Sequence, residues 1–243
     1  MDNKTVEELE NKYLNKFYHF LKYTEEEMLI GFNTKEKIKN DWYGIFKSGI
    51  SDFSRGAERI VYALFNGKGI GQPNSNPVAS DLFFETRDAF IHIDLKTVQT
   101  RNIGDYSNDI FVGDNQNSYS GKIVTKSHSI NYKGNLPPFY TLPDRTEKIC
   151  LTYFVTILYE DVNLNILVIT IMCMPNGSLK NVYGDKVLKA GKNPGKVRFD
   201  FSSTPTFELL NNEKRIKVVY FDSNMDEKYI NKLNFLHSIY KNQ

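Results

Sequence analysis

Two aspartates and a lysine offer the clearest chemistry in this chain: Asp81, then Asp94-Leu95-Lys96 further along. Positions two apart on a strand share a face, so Asp94 and Lys96 point one way while Ile93 and Leu95 point the other. A turn centred between Arg87 and Asp88 pairs residues equidistant from it, which sets Asp81 directly across from Asp94. Cβ atoms so opposed lie about 5 Å apart, and two like charges there repel. A compensating cation is called for. Carboxylates and waters suit Mg²⁺, which takes one or two protein carboxylates and keeps several waters. Such an ion would polarise a phosphodiester as a Lewis acid, and Lys96 would place or deprotonate the attacking water. A plainer reading exists, since charged residues make up 25% of the chain and such triplets arise by chance. An exposed Asp94–Lys96 pair would contribute only about 0–1 kcal/mol. Context favours chemistry, because both aspartates begin or interrupt strongly apolar strands and a helix carrying Glu58 precedes them.

Other side chains suit a polyanion. Between Lys180 and Arg198 the bases Lys180, Lys186, Lys189, Lys192, Lys196 and Arg198 outnumber a single acid, Asp185, among interleaved glycines. That run reads as a flexible basic loop able to bind phosphates, or as an ordinary solvated surface. Thr97, Gln99 and Arg101 follow the Asp94–Lys96 strand directly and are placed to touch a nucleic-acid backbone near the cut. Asn115 to Tyr119, with Asn117 at its centre, offers amides suited to adenine or to phosphate. The glycines from Gly67 to Gly71 follow a helix rather than a strand and lack the Gly-Lys-Ser/Thr ending of a phosphate loop. The four histidines show no zinc spacing, and Cys150 and Cys173 sit in apolar runs as buried, reduced thiols.

These groups need a scaffold. A chain of 243 residues, 40% apolar, can bury one sizeable core. Its 31 Lys and Arg against 29 Asp and Glu leave +2, which excludes a histone-like polycation but not a local basic patch. Met1 to Glu10 lacks the apolar run of a secretory signal, and the stretch Leu164 to Met174 is too short for the roughly 20 residues a membrane span needs, so a cytoplasmic location is expected. Helical spacing runs from Val6 to Phe32 and again from Ser54 to Phe65. Strands are expected at Asp81–Thr86, Phe90–Val98, Lys148–Tyr159, Leu164–Met174 and Arg215–Phe221, and a last helix over Asp226–Tyr240. Residues 99–144 form a long polar excursion. The pattern predicts a single α/β domain, 1–243, with a central mixed sheet flanked by helices. Residues 1–50 would be a helical part whose Leu9, Phe17 and Phe20 serve equally well in dimerisation or in packing within the chain; residues 54–222 would be the catalytic core and 225–243 the C-terminal helix.

The segments Gly56-Ala57-Glu58-Arg59-Ile60-Val61-Tyr62, Ser80-Asp81-Leu82 and Ile93-Asp94-Leu95-Lys96-Thr97 resemble the PD-(D/E)xK nucleases. Within these they resemble the type II restriction endonucleases similar to EcoRV and HincII. The resemblance covers about 54–119 and implies a restriction-endonuclease-like fold. It implies Asp81 and Asp94 as metal ligands, Lys96 as the catalytic lysine and Glu58 as an auxiliary carboxylate. The tract with Gln72, Asn74 and Asn76 is similar in placement to a loop that approaches the minor groove. The implied activity is Mg²⁺-dependent hydrolysis of double-stranded DNA at a short palindromic site. A palindrome read by one kind of chain calls for a two-fold homodimer. A cognate DNA methyltransferase would be its functional partner in a restriction–modification system. Ser80 stands where the motif usually has proline. Two other readings use the same residues: a structure-specific repair or RNA nuclease, and a DNA-binding protein without catalysis.

Overall fold

Asp2 caps the first helix by accepting the Thr5 N–H at 2.8 Å, and α1 runs Asn3–Tyr23. The computed structural model describes residues 1–37, 60, 61, 64, 80–125, 128–193, 195–202 and 213–243. The helix expected to Phe32 is two helices, because Thr24 leaves helical geometry (φ −103°, ψ 16°) and α2 resumes over Glu25–Lys37. The Thr24 hydroxyl donates to the Phe20 carbonyl at 3.1 Å, the local competition by which threonine bends helices. Of the helix expected over 54–65, Ile60, Val61 and Leu64 are described and are helical. Glu58, Gln72, Asn74 and Asn76 lie outside the described residues.

β1 (Leu82–Glu85) and β2 (Ala89–Gln99) form the expected antiparallel hairpin. The long polar excursion holds four short strands: β3 (Asp109–Val112), β4 (Ser120–Val124), β5 (Ser129–Lys133) and β6 (Phe139–Thr141). β7 (Glu147–Tyr159) and β8 (Ile166–Met174) are the central strands, and from Cys150 onward both are buried throughout. They read as continuous apolar runs because both of their faces are covered. A short helix α3 (Lys180–Tyr183), then β9 (Leu188–Ala190) and β10 (Val197–Asp200), occupy the run expected as a flexible basic loop. β11 (Ile216–Phe221) precedes α4 (Glu227–Lys232) and α5 (Asn234–Lys241), which Leu233 (φ −106°, ψ 17°) separates within the expected single helix.

The large sheet has the order β1-β2-β7-β8-β11, with β6 added to β7. β2 runs parallel to β7 and every other pair in it is antiparallel, so the sheet is mixed as expected. A small sheet, β3-β10-β9, and the β4–β5 hairpin stand apart from it. Among the described residues no helix is long and apolar enough to cross a membrane.

α1 lies against one face of the large sheet. Phe17 meets Tyr153 edge-on at 5.2 Å and Phe84 at 6.2 Å, and it is 4% exposed. Burying each such side chain stabilises the fold by about 1.5–3 kcal/mol. Of the two roles expected for the stripe, packing within the chain is the one seen: Phe17 is turned inward, and Leu9 and Phe20 pack against the same core. The reason is geometric: the sheet face carrying Ile91, Ile93 and Tyr153 needs a cover, and α1 is the amphipathic helix that reaches it. Beyond Phe17, the Tyr13 hydroxyl donates to the Asp88 carboxylate and lies 2.8 Å from Thr86 Oγ1, and Lys12 pairs with the same carboxylate. Burial, with Asp88 adding to it, pushes the Tyr13 phenol up to about 12. These contacts tie the tip of the β1–β2 hairpin to α1.

Candidate active site

The β1–β2 register pairs Leu82 with Ile93, Phe83 with His92, Phe84 with Ile91 and Glu85 with Phe90. That is the register expected from a turn at Arg87-Asp88. Carried one residue further, it sets Asp81 opposite Asp94. Asp81 is also tied to β2 directly, since its Oδ2 accepts the Leu95 backbone N–H at 2.6 Å. Burial pushes the Asp81 carboxyl above the usual carboxylate value, against the opposing pulls of that N–H and of the Lys96 charge.

Asp94 and Lys96 share the sheet face opposite α1. The parallel partners of Asp94 and Lys96 on β7 are Phe154 and Thr156, whereas Ile93 pairs with Tyr153 on the α1 side. Asp94 is 5% exposed. Its Oδ2 forms an ion pair with Lys96, and its Oδ1 accepts from Gln116 Nε2 at 2.9 Å. The Lys96 ammonium donates to Gln116 Oε1 at 2.9 Å and lies over the rings of Phe111 and Phe154, at 5.8 and 5.7 Å from their centroids. A lysine with its stem enclosed and its head between a carboxylate, an amide and two aromatic faces is far from a solvated surface pair. His92, on the same face, is fully buried inside the sheet and presents no surface to a substrate.

Gln116 belongs to the amide-rich tract expected to contact adenine or phosphate, and the structure places it against Asp94 and Lys96. It closes a short 3₁₀ turn, Asp114–Gln116, that follows β3. Its neighbour Asn117, expected to contact DNA, is instead fully buried. The Asn117 amide donates to the Gly113 carbonyl at 3.1 Å and to the Tyr132 hydroxyl at 2.6 Å, and its Oδ1 accepts the Tyr119 N–H at 2.9 Å. Burial demands that each polar atom find a partner, and Asn117 finds all of its partners within the fold. Of this Asn/Gln tract, Gln116 is the side chain that reaches Asp94 and Lys96.

The basic run is mostly neutralised by acids distant in sequence. Arg198 donates to Asp109 Oδ1 at 2.8 Å and pairs with Asp105 at 3.2 Å; its side chain is only 13% exposed. Lys192 pairs with Asp105 at 2.7 Å, Lys189 with Asp200 at 2.7 Å, and Lys180 with Asp185. Arg198 thus serves the small sheet rather than a free surface. Lys186 and Lys196 are exposed. Lys196 stands over the ring of Phe111 at 5.4 Å, so Lys96 and Lys196 flank one partly exposed aromatic. On β2, Thr97 and Gln99 alternate with Lys96 and so fall on the opposite face. Arg101 is exposed beyond the end of β2 and pairs loosely with Asp161 at 3.7 Å.

Among the described residues no cluster of three or more His, Cys, Asp or Glu could hold a metal ion. The two opposed carboxylates fit Mg²⁺ all the same, since that ion is bound through one or two carboxylates, waters and substrate phosphate.

The family model for the N-terminal domain of the type II restriction enzyme MwoI matches residues 2–163, and the model for its central domain matches residues 166–221. The chain belongs to this family. As a type II restriction enzyme it is a site-specific DNA endonuclease. The two matched regions meet at the turn between β7 and β8, which are hydrogen-bonded neighbours in one sheet. Among solved structures the chain is similar to the restriction endonuclease BglI bound to its DNA recognition sequence, with a TM-score of 0.66, 18% identity, and 81% of this chain and 86% of that chain covered. It is also similar to the tetrameric restriction endonuclease SfiI bound to cognate DNA, with a TM-score of 0.62, 14% identity, and 83% and 80% covered. The fold is thus shared with these restriction endonucleases. Comparison with curated proteins gave no match.

Proposed function

We propose that Asp81, Asp94 and Lys96 form the hydrolytic centre, and that the chain cuts double-stranded DNA at a short palindrome with Mg²⁺. The observation that carries the assignment is the enclosed Lys96 ammonium, bonded to Asp94 in a register that sets Asp81 opposite. Asp81 and Asp94 would hold the ion, and Mg²⁺, when bound, supplies Lewis acidity at the scissile phosphate. Lys96 holds the attacking water or a phosphate oxygen through an N–H not engaged by Gln116. Phe154 and the surrounding strands keep bulk water from this head group, which strengthens its electrostatic action.

DNA would run across Phe111, with Lys96 toward the cut and Lys196 toward an adjacent phosphate; Lys186 and Arg101 are exposed enough to add backbone contacts. Glu58 would be the auxiliary carboxylate, and Gln72, Asn74 and Asn76 the minor-groove contacts. BglI is bound to its recognition sequence and SfiI is tetrameric. For this chain a homodimer would supply the two-fold symmetry that a palindrome requires. The whole chain acts as one domain in the cytoplasm, and a DNA methyltransferase protects the host's own sites in a restriction–modification system.

The test is digestion of a sequenced plasmid by purified protein at millimolar Mg²⁺. Discrete bands that disappear with chelator and with Asp94→Ala or Lys96→Ala are expected, with both variants folded as judged by circular dichroism. Full activity in either variant would remove the site assignment.

A further inference from the structure

The Gln116 carboxamide makes three polar contacts, and each faces a group of fixed role. Its Oε1 accepts from the Gly113 backbone N–H at 2.8 Å and from Lys96 Nζ at 2.9 Å, while its Nε2 donates to Asp94 Oδ1 at 2.9 Å. A backbone N–H and an ammonium can only donate, and an ionised carboxylate can only accept. Turning the amide over would oppose donor to donor twice and acceptor to acceptor once. The carboxamide therefore has one workable orientation, and Gly113 selects it.

The turn that carries Gln116 is itself anchored. Asn117 and the Tyr132 hydroxyl both donate to the Gly113 carbonyl, at 3.1 and 3.0 Å. Gly113 has an ordinary extended conformation (φ −87°, ψ 158°) that any residue adopts. What its lack of a side chain provides is room, because a Cβ there would stand 3.2 Å from Gln116 Oε1 and 3.4 Å from its Cδ.

The consequence for the lysine is a fixed head group. An ammonium has three N–H groups. One donates to Gln116 Oε1, and the head is held by charge against Asp94 Oδ2, so the carboxamide and the carboxylate together fix where the ammonium sits. On the carboxylate, Oδ1 accepts from Gln116 and Oδ2 faces the ammonium. Without Gln116, the Lys96 head would keep a single polar tether and could swing between the two ring faces beside it.

We propose that Gln116 is a positioning residue of this endonuclease: its carboxamide, keyed by Gly113, sets Lys96 and Asp94 in one arrangement toward the substrate. The proposal rests on Asp81, Asp94 and Lys96 being the hydrolytic centre.

The test uses the full chain and an oligonucleotide duplex carrying the cleavage site mapped by plasmid digestion. Gln116→Met keeps the volume and removes all three bonds. Gly113→Ala keeps Gln116 and pushes its carboxamide by a few tenths of an ångström. Loss of a group that orients a metal-ligating carboxylate costs about 10–100-fold, and misplacing a catalytic group by about 1 Å costs up to about 100-fold, so Gln116→Met should lower kcat by about 10–100-fold, with KM, metal-free DNA retention and Tm held near those of the unaltered protein. Gly113→Ala should lower kcat less, by several-fold, with the same KM. Should Gln116→Met fail to fold, Gly113→Ala carries the test. A kcat within twofold of the unaltered protein in the folded variants overturns the proposal, as does a kcat loss matched by a rise in KM and a fall in Tm. Asp94→Ala and Lys96→Ala run alongside: activity in those two removes the hydrolytic centre, whereas their inactivity with an unaffected Gln116→Met removes the role of Gln116 alone.

Discussion

Arg215 is fully buried, and its replacement by methionine should be among the most damaging single changes to this fold. Its Nη1 donates to Glu10 Oε2 at 2.8 Å, and its Nη2 donates to the Tyr183 hydroxyl at 3.0 Å and lies 3.6 Å from Glu7. Burial disfavours its charge, yet the Glu10 carboxylate beside it more than compensates and holds the guanidinium above its ordinary range. Glu10 is equally buried, and its other oxygen accepts the Asn176 N–H at 2.7 Å. Arg215→Met keeps much of the volume and leaves a carboxylate inside the protein with a backbone N–H as its main support. Stranding one partner of a buried pair costs about 3–5 kcal/mol, against a total stability of about 5–15 kcal/mol. For a chain of this size each kcal/mol moves Tm by about 2–4 °C, so a fall of roughly 6–20 °C is expected. Urea unfolding should show a lower midpoint at unchanged slope. The deficit should shrink as pH falls, because protonation of Glu10 removes the stranded charge. Adding Glu10→Gln to the variant should recover most of the loss. A single variant that loses less than about 1 kcal/mol, or a double variant no better than the single, would refute the reasoning, because both follow from the stranded-charge penalty.

Three further outcomes follow from the site and its surroundings. The folded state holds the Asp81 carboxyl above its ordinary value by burial, so ionising it costs stability at neutral pH and nothing below the ordinary carboxylate range. Asp81→Asn should therefore raise Tm at pH 7 in chelator, lose that advantage at acid pH, and abolish cleavage; an unchanged or lower Tm at pH 7 counts against the buried placement. Lys196→Ala should weaken DNA retention and reduce the slope of log affinity against log salt by about 0.9, the share of one phosphate contact. Arg198→Ala, whose guanidinium is already paired with Asp105 and Asp109, should leave that slope nearly unchanged while lowering Tm; equal slopes for the two variants would disprove the distinction.

What could be read from the sequence were features set by near neighbours. A period of two puts Asp94 and Lys96 on one face, and a tight turn at Arg87-Asp88 determines which residue opposes which; the observed pairing of Leu82 with Ile93 is that register. The apolar runs of β7 and β8 needed no partner to be recognised, since strands covered on both faces have no polar side to show. The short strands of 99–144 were hidden because each is brief and half exposed, so its alternation resembles a polar loop.

Only the tertiary structure decided which charges remain available to a substrate. The bases between Lys180 and Arg198 outnumber the acids near them in the chain, yet Asp105 and Asp109, distant in sequence, come with Asp200 to meet them at the small sheet. Asn117 and Gln116 are adjacent and chemically alike, but one is buried in the turn's own hydrogen bonds and the other reaches the lysine. Glu10 and Arg215 find each other from the two ends of the molecule. The physical reason is common to all three: periodicity and turn geometry are local, whereas the partner of a charge or an amide is whichever group the fold carries to within about 3 Å, and that is independent of distance along the chain.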